Sequence, residues 1–142
     1  MSHPEIERDV CDLFEARQLP VRIFKAKAEK KMCGVEFIYR DVERLGVDRC
    51  LAMVAAFDSF RQGVLVIDCG SAMTADLILQ SGVHLGGYIF PGFRLIKQSL
   101  LSGTSKVIVN ENVEQRFGLG GSTEECVDNG VNMMMRSTLL GM

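Results

Sequence analysis

Apolar residues recur first at helical spacing: Ile6, Val10, Leu13 and Phe14, behind Pro4, predict an amphipathic helix to about Gln18. Val21 to Phe24, after Pro20, predicts a short strand, and Lys25 to Lys31, with four lysines and one glutamate, a solvated surface segment. A further strand is expected over Val35 to Ile38, and Arg40 to Leu45 is a polar connection. Asp48 to Phe60 then has the spacing of a helix with Leu51, Val54 and Ala55 inward.

In the second half the alternation shortens. Val64 to Ile67 is a β-branched, buried strand, followed by strands over Met73 to Leu79 and Val83 to Phe90. Gln80-Ser81-Gly82 supplies a hairpin turn between the last two. Gly86 and Gly87 predict a bulge or a close backbone approach, and Pro91-Gly92 stops the strand. Phe93 to Leu101 is an amphipathic helix, with Leu95, Ile96 and Leu100 on its apolar face. Val107 to Val109 is a short apolar run. Ser122-Thr-Glu-Glu125 matches a capping box, with Glu125 reaching back to the backbone of Ser122. It opens a helix to about Leu140 whose methionine-rich face must be buried on something. Strands alternate with helices, so the class is α/β with at least one antiparallel hairpin.

Composition narrows the function classes. The 142 residues suffice for one compact domain or parts of two, and the net charge of −2 argues against a nucleic-acid binder. Cys11, Cys33, Cys50, Cys69 and Cys126 contain no C-x-x-C pair, so neither a zinc site nor a disulfide framework is indicated. Scattered thiols fit a reducing, cytoplasmic setting. Charges at Glu5, Glu7, Arg8, Asp9 and Asp12 exclude an N-terminal signal peptide. The uncharged run from Leu77 to Phe93 is broken by glycines and Pro91, so it predicts strand, turn and strand instead of a membrane span.

Three clusters could carry chemistry. In Asp68-Cys-Gly70-Ser71-Ala-Met-Thr74, an acid ends a strand, where open α/β sheets place ligands. Gly70 frees the backbone to turn, so that N–H groups and the Ser71 and Thr74 hydroxyls can converge on an anion. A carboxylate beside such a pocket would hold a cation. The second cluster is Leu45-Gly46-Val47-Asp48-Arg49. Either Asp48 caps the helix with Arg49 exposed, or Asp48 is a general base and Arg49 a fork for a carboxylate or phosphate. The third is Val83-His-Leu-Gly86-Gly87-Tyr-Ile-Phe-Pro91-Gly92, in which His84 has no second ligand at metal spacing and is expected to be a surface or structural histidine.

The order of these motifs, L-G-V-D-R, then D-C-G-S-A-M-T-A-D beginning twenty residues after Asp48, then G-V-H-L-G-G-Y-I-F-P-G-F-R-L, resembles type III pantothenate kinase. The resemblance spans Gly34 to Leu140 and implies the actin-like (ribonuclease H-like) ATPase fold, a mixed sheet with flanking helices. It implies Asp48 as the catalytic base, with Gly46, Val47, Arg49, Tyr39 and Thr123 contacting pantothenate. It also implies Asp68 as the ligand of a monovalent cation (potassium or ammonium) and Ser71 as a contact to ATP, with magnesium on the phosphates. Ser71 replaces the family's usual threonine, and Cys50 a bulky aromatic.

Residues 1 to 35 lack the family's D-x-G-N-T strand, and the chain stops before its G-G-D turn. The chain is therefore expected to be a fragment, incomplete at both ends. Residues 1–60 would belong to the first lobe and 61–142 to the second, with little kinase activity alone. The expected function is ATP-dependent phosphorylation of pantothenate, the first step of coenzyme A synthesis, by a cytoplasmic homodimer without nucleic-acid or membrane partners. The alternatives are a non-catalytic, accessory-factor-type regulator of the same fold, or a superfamily kinase for another hydroxyl substrate.

Overall fold

Residues 64–67 are β-branched or leucine throughout, a composition that suits a pleated, packed surface. In the computed structural model, which describes residues 4–18, 20–102 and 118–142, they open strand β3 (Val64–Cys69). It pairs antiparallel with β4 (Ala72–Ile78), which pairs antiparallel with β5 (His84–Pro91), giving a three-stranded meander. The β4–β5 turn closes on Gly82, whose N–H donates to the Leu79 carbonyl at 2.9 Å. Its φ of +84° is a conformation in which a side chain is strained. Leu77 faces Gly86 and Ile78 faces His84, so Leu85 is the extra residue of a bulge. The glycines predicted that irregularity.

Strands β1 (Lys31–Met32) and β2 (Val35–Glu36) form a hairpin over Cys33 and Gly34, both at positive φ, as a two-residue type I′ turn requires. A parallel bridge between Glu36 and Val83 joins this hairpin to the meander, the Glu36 N–H donating to the Gly82 carbonyl at 2.9 Å. A Cβ at Gly82 would lie 2.1 Å from the Gly34 oxygen, so the joint closes only with glycine there.

Helix α2 (Val47–Phe60) packs on the meander face that carries Val64, Val66 and Ile78. Its inward residues are Arg49, Cys50, Met53 and Phe57, and these join Val35, Phe37 and Leu45 in the core. Leu51 and Ala55, expected inward, are exposed. Burial of Arg49 sets the rotation of the helix, and Leu51 lies about 200° around the axis from it. Val21 to Phe24 is not a strand. A strand exists only by pairing, and no ladder forms there, so Val21, Ile23 and Phe24 remain exposed. Lys25 instead ties the segment to helix α1 (Pro4–Ala16) through an ion pair with Glu7 at 2.7 Å.

Helices α3 (Phe93–Ser102) and α4 (Thr123–Leu140) pack together, joined by a largely buried Lys97–Asp128 ion pair. The Ser122 hydroxyl caps α4, accepting from the Glu125 N–H at 3.2 Å. Glu125 reaches back to the N–H of Gly121, one residue earlier than expected, at 2.7 Å. Met133 and Met134 on α4 are exposed rather than buried. The run Val107 to Val109 lies outside the described residues. No helix among the described residues is long and apolar enough to cross a membrane. The α/β expectation holds.

Candidate active site

Helix α2 begins at Gly46, its N-cap, so Val47 and Asp48 occupy the first turn and Asp48 is not the cap. A Cβ on Gly46 would come within 2.5 Å of Asp48 Oδ1, and the bare backbone lets the carboxylate fold back over the helix start. Oδ1 there accepts the Arg49 N–H at 2.9 Å, while the positive end of the helix dipole favours the negative charge. Asp48 is exposed, and a group from solution can reach it.

One residue later the direction reverses. Arg49 is buried, and its guanidinium grips Asp76 on β4 side-on, Nε donating to Oδ2 at 2.9 Å and Nη2 to Oδ1 at 2.6 Å. Nη1 donates to the Tyr39 hydroxyl at 2.9 Å. Three of the five N–H bonds of the side chain are thereby engaged, leaving one on Nη1 and one on Nη2. The hydrogen bond to Asp76 is the main cause that raises the Arg49 pKa above its ordinary value, and burial opposes it. Tyr39 accepts from Arg49, so its own O–H is left to donate elsewhere.

Asp76 is 2% exposed and has a second partner, His84 Nε2, 3.1 Å from Oδ1. An ionised carboxylate only accepts, so Nε2 carries the hydrogen. The His84 ring is fully buried, stacked on Tyr39 with centroids 6.1 Å apart and edge-on to Phe37 at 5.8 Å. Its Nδ1 has no hydrogen-bond partner among the described residues. Gly87, opposite Asp76 across the ladder, leaves room for the carboxylate: a Cβ there would meet Asp76 Oδ1 at 2.2 Å. Of the two expectations for His84, surface or structural, its burial excludes the surface one; Asp76 was overlooked. The signal was available, because an acid inside a buried strand needs a partner.

Asp68 lies opposite Thr74 in the β3–β4 ladder, one ladder pair on the same face from the Val66–Asp76 pair. The carboxylate is exposed, whereas Thr74 is buried in the sheet, away from the anion-binding turn anticipated for it. Ser71 sits in the β3–β4 turn. The Gly92 N–H donates to its carbonyl at 3.0 Å, seating the start of α3 on that turn. Cys69, Gly70, Ser71, Arg94 and Gln98 line an open depression at the junction. Thr123 is exposed at the first turn of α4, the helix that packs on α3. The structure thus joins Tyr39 to Arg49, with Asp48 exposed at the preceding position, and places Asp68 and Ser71 at the end of the meander. Among the described residues no three His, Cys, Asp or Glu side chains converge as a metal cage. A lone exposed carboxylate fits a weakly held monovalent ion, and magnesium ordinarily arrives bound to nucleotide phosphates and water.

Comparison with known proteins places the chain in a family. Residues 3–142 match the sequence profile of type III pantothenate kinase. Curated proteins named type III pantothenate kinase are similar to the chain. That of Pseudomonas aeruginosa (strain LESB58) is 41% identical over 122 residues, covering 82% of this chain and 49% of the relative. That of Alcanivorax borkumensis is 45% identical over 101 residues, covering 71% and 40%. The chain spans about half the length of the curated relatives it matches. Among solved structures, a conserved protein of Campylobacter jejuni, assigned to the Baf family of transcriptional activators, superposes with a TM-score of 0.53 at 30% identity. The match covers 73% of this chain and 47% of that one.

Proposed function

From the premise that this chain belongs to the type III pantothenate kinase family, we propose that the gene product carrying it transfers the terminal phosphoryl group of ATP to the primary hydroxyl of pantothenate, opening coenzyme A synthesis. The observation that carries the reading is an exposed carboxylate, Asp48, set one residue before a buried, oriented guanidinium.

Asp48 accepts the hydroxyl proton as the oxygen attacks the γ-phosphorus. The new bond joins that oxygen to phosphorus, the bond to the β–γ bridging oxygen breaks, and ADP leaves. Arg49 and Tyr39 offer their free N–H and O–H bonds to the substrate, Gly46 and Val47 shape the loop around it, and Thr123 adds a further contact. Ser71 meets ATP at the β3–β4 turn, and Asp68 holds a potassium or ammonium ion beside it. When bound, magnesium and that ion would supply charge neutralisation on the phosphates. Holding the reactants in line accounts for much of the rate. In this proposal residues 1–60 end the first lobe of an actin-like fold, residues 61–142 lie in the second, and the protein works as a cytoplasmic homodimer.

The test is ATP-dependent formation of phosphopantothenate by the full gene product, with and without potassium. Asp48→Asn is expected to lower kcat by about 10²–10⁴-fold, the usual contribution of a general base, without loss of folding. Turnover at the native rate would remove Asp48 from the mechanism. The Campylobacter neighbour favours one rival reading, a regulator without kinase activity. A full gene product that binds pantothenate and ATP but forms no product would support that rival.

A further inference from the structure

Nothing in the mechanism above uses Asp76 or His84, yet they form the most enclosed polar group described in the molecule. Asp76 is 2% exposed and His84 0%. Burying a carboxylate is costly, and a chain that needed only a core here would do as well with apolar side chains. The arrangement also has a direction. His84 Nε2 holds Asp76 Oδ1, Asp76 takes the Nε–Nη2 edge of Arg49, and Arg49 Nη1 holds the Tyr39 hydroxyl. The Tyr39 ring then stacks back on His84, its plane tilted by only 12°. Two strands, one helix and the segment that follows β2 contribute to this closed ring, and Gly87 keeps the space that Asp76 Oδ1 occupies.

We propose that Asp76 is a positioning residue for substrate binding, braced by His84, and that it fixes the Arg49 guanidinium so that its remaining N–H bonds and the Tyr39 O–H meet pantothenate already oriented. This rests on the kinase reading above and adds to it residues that touch neither substrate nor nucleotide. A guanidinium on a flexible stem loses rotamer freedom when it binds. One already clamped along its side-on edge has lost that freedom on folding. The bidentate geometry matters more than the charge, since an ammonium at position 49 could not reach the Asp76 carboxylate and the Tyr39 hydroxyl in the same way.

Two readouts test the proposal, one of them independent of catalysis. Tyr39 and Tyr88 are the two tyrosines of the chain, so their ring signals in a tyrosine-labelled NMR spectrum are readily told apart. In Asp76→Asn, which does not touch Tyr39, the Tyr39 ring signals are expected to shift or broaden while those of Tyr88 stay in place. In the full gene product the same variant is expected to raise the KM for pantothenate about tenfold, the equivalent of one charge-assisted hydrogen bond, and to leave the KM for ATP within about twofold. Simple loss of folded protein would instead lower kcat at constant KM.

If Asp76→Asn does not fold, His84→Leu and His84→Gln take its place. Leucine should raise the pantothenate KM, and glutamine, which can still donate to Asp76, should restore it. A folded Asp76→Asn with unmoved Tyr39 signals, or an unchanged pantothenate KM in Asp76→Asn or His84→Leu, overturns the proposal. A wild-type product that fails to phosphorylate pantothenate overturns the kinase reading instead, and the tyrosine signals still decide the positioning role.

Discussion

Arg49→Met tests the buried pair directly. Methionine matches much of the arginine stem but offers no donor, so Asp76, at 2% exposure, keeps only the His84 bond at 3.1 Å. Removing one partner of a buried ion pair costs about 3–5 kcal/mol, because the other charge is left uncompensated. For a chain of this size that corresponds to a fall in Tm of roughly 10–20 °C. The second arm is Arg49→Met combined with Asp76→Leu, which removes both charges. Its deficit should shrink to about 1–3 kcal/mol, the cost of a buried His84 Nε2–H left without an acceptor. Urea denaturation followed by circular dichroism measures both, with the slope checked for constancy so that midpoints compare as free energies. Two outcomes would refute the reasoning: a single variant losing less than about 1 kcal/mol, or a double variant no more stable than the single.

Glycine substitutions should separate by site. Gly87→Ala sets a Cβ 2.2 Å from Asp76 Oδ1 and 2.3 Å from the Ala75 oxygen, and thermal melts should record a loss of about 1–3 kcal/mol. Gly130→Ala, inside α4 with nothing within 4 Å of the added carbon, should gain about 0.5–1 kcal/mol. Glu124 provides a pH test. Its carboxylate accepts from its own backbone N–H first and from the Ser122 hydroxyl second, which hold its pKa below the ordinary 4.5. A lowered folded value means that this stabilisation is complete above pH 4.5 and is lost as pH falls through the folded pKa. A carbon-13 titration should place the Glu124 midpoint below 4.5, and Ser122→Ala should move it upward.

What the sequence disclosed was local. The strand over Val64 to Ile67, the Gln80-Ser81-Gly82 turn, the bulge at the paired glycines and the Ser122 cap each follow from neighbouring residues, and each is present, although the strand expected to be buried leaves Leu65 and Ile67 exposed. The rotation of α2 was not legible, because it depends on Arg49 meeting Asp76, 27 residues away. Val21 to Phe24 has strand composition but lacks a partner strand, which composition does not reveal. The three motifs identified the family. They did not disclose that Asp48 and Arg49, adjacent in sequence, face opposite environments. Thr123 lies far from both in sequence, and its place depends on how α3 and α4 pack.

The bridge between Glu36 and Val83 bears on tolerance to insertion and deletion. Tyr39 follows Glu36 by three residues and His84 follows Val83 by one, so a contact made only of peptide groups brings the two rings into line. Peptide groups are indifferent to side-chain identity but not to counting. Gly82 apart, where an added Cβ would meet the Gly34 oxygen, point substitutions near the bridge can drift while the rings stay stacked. One codon gained or lost between Glu36 and Tyr39 would turn the tyrosine away from the histidine even if both sheets still formed.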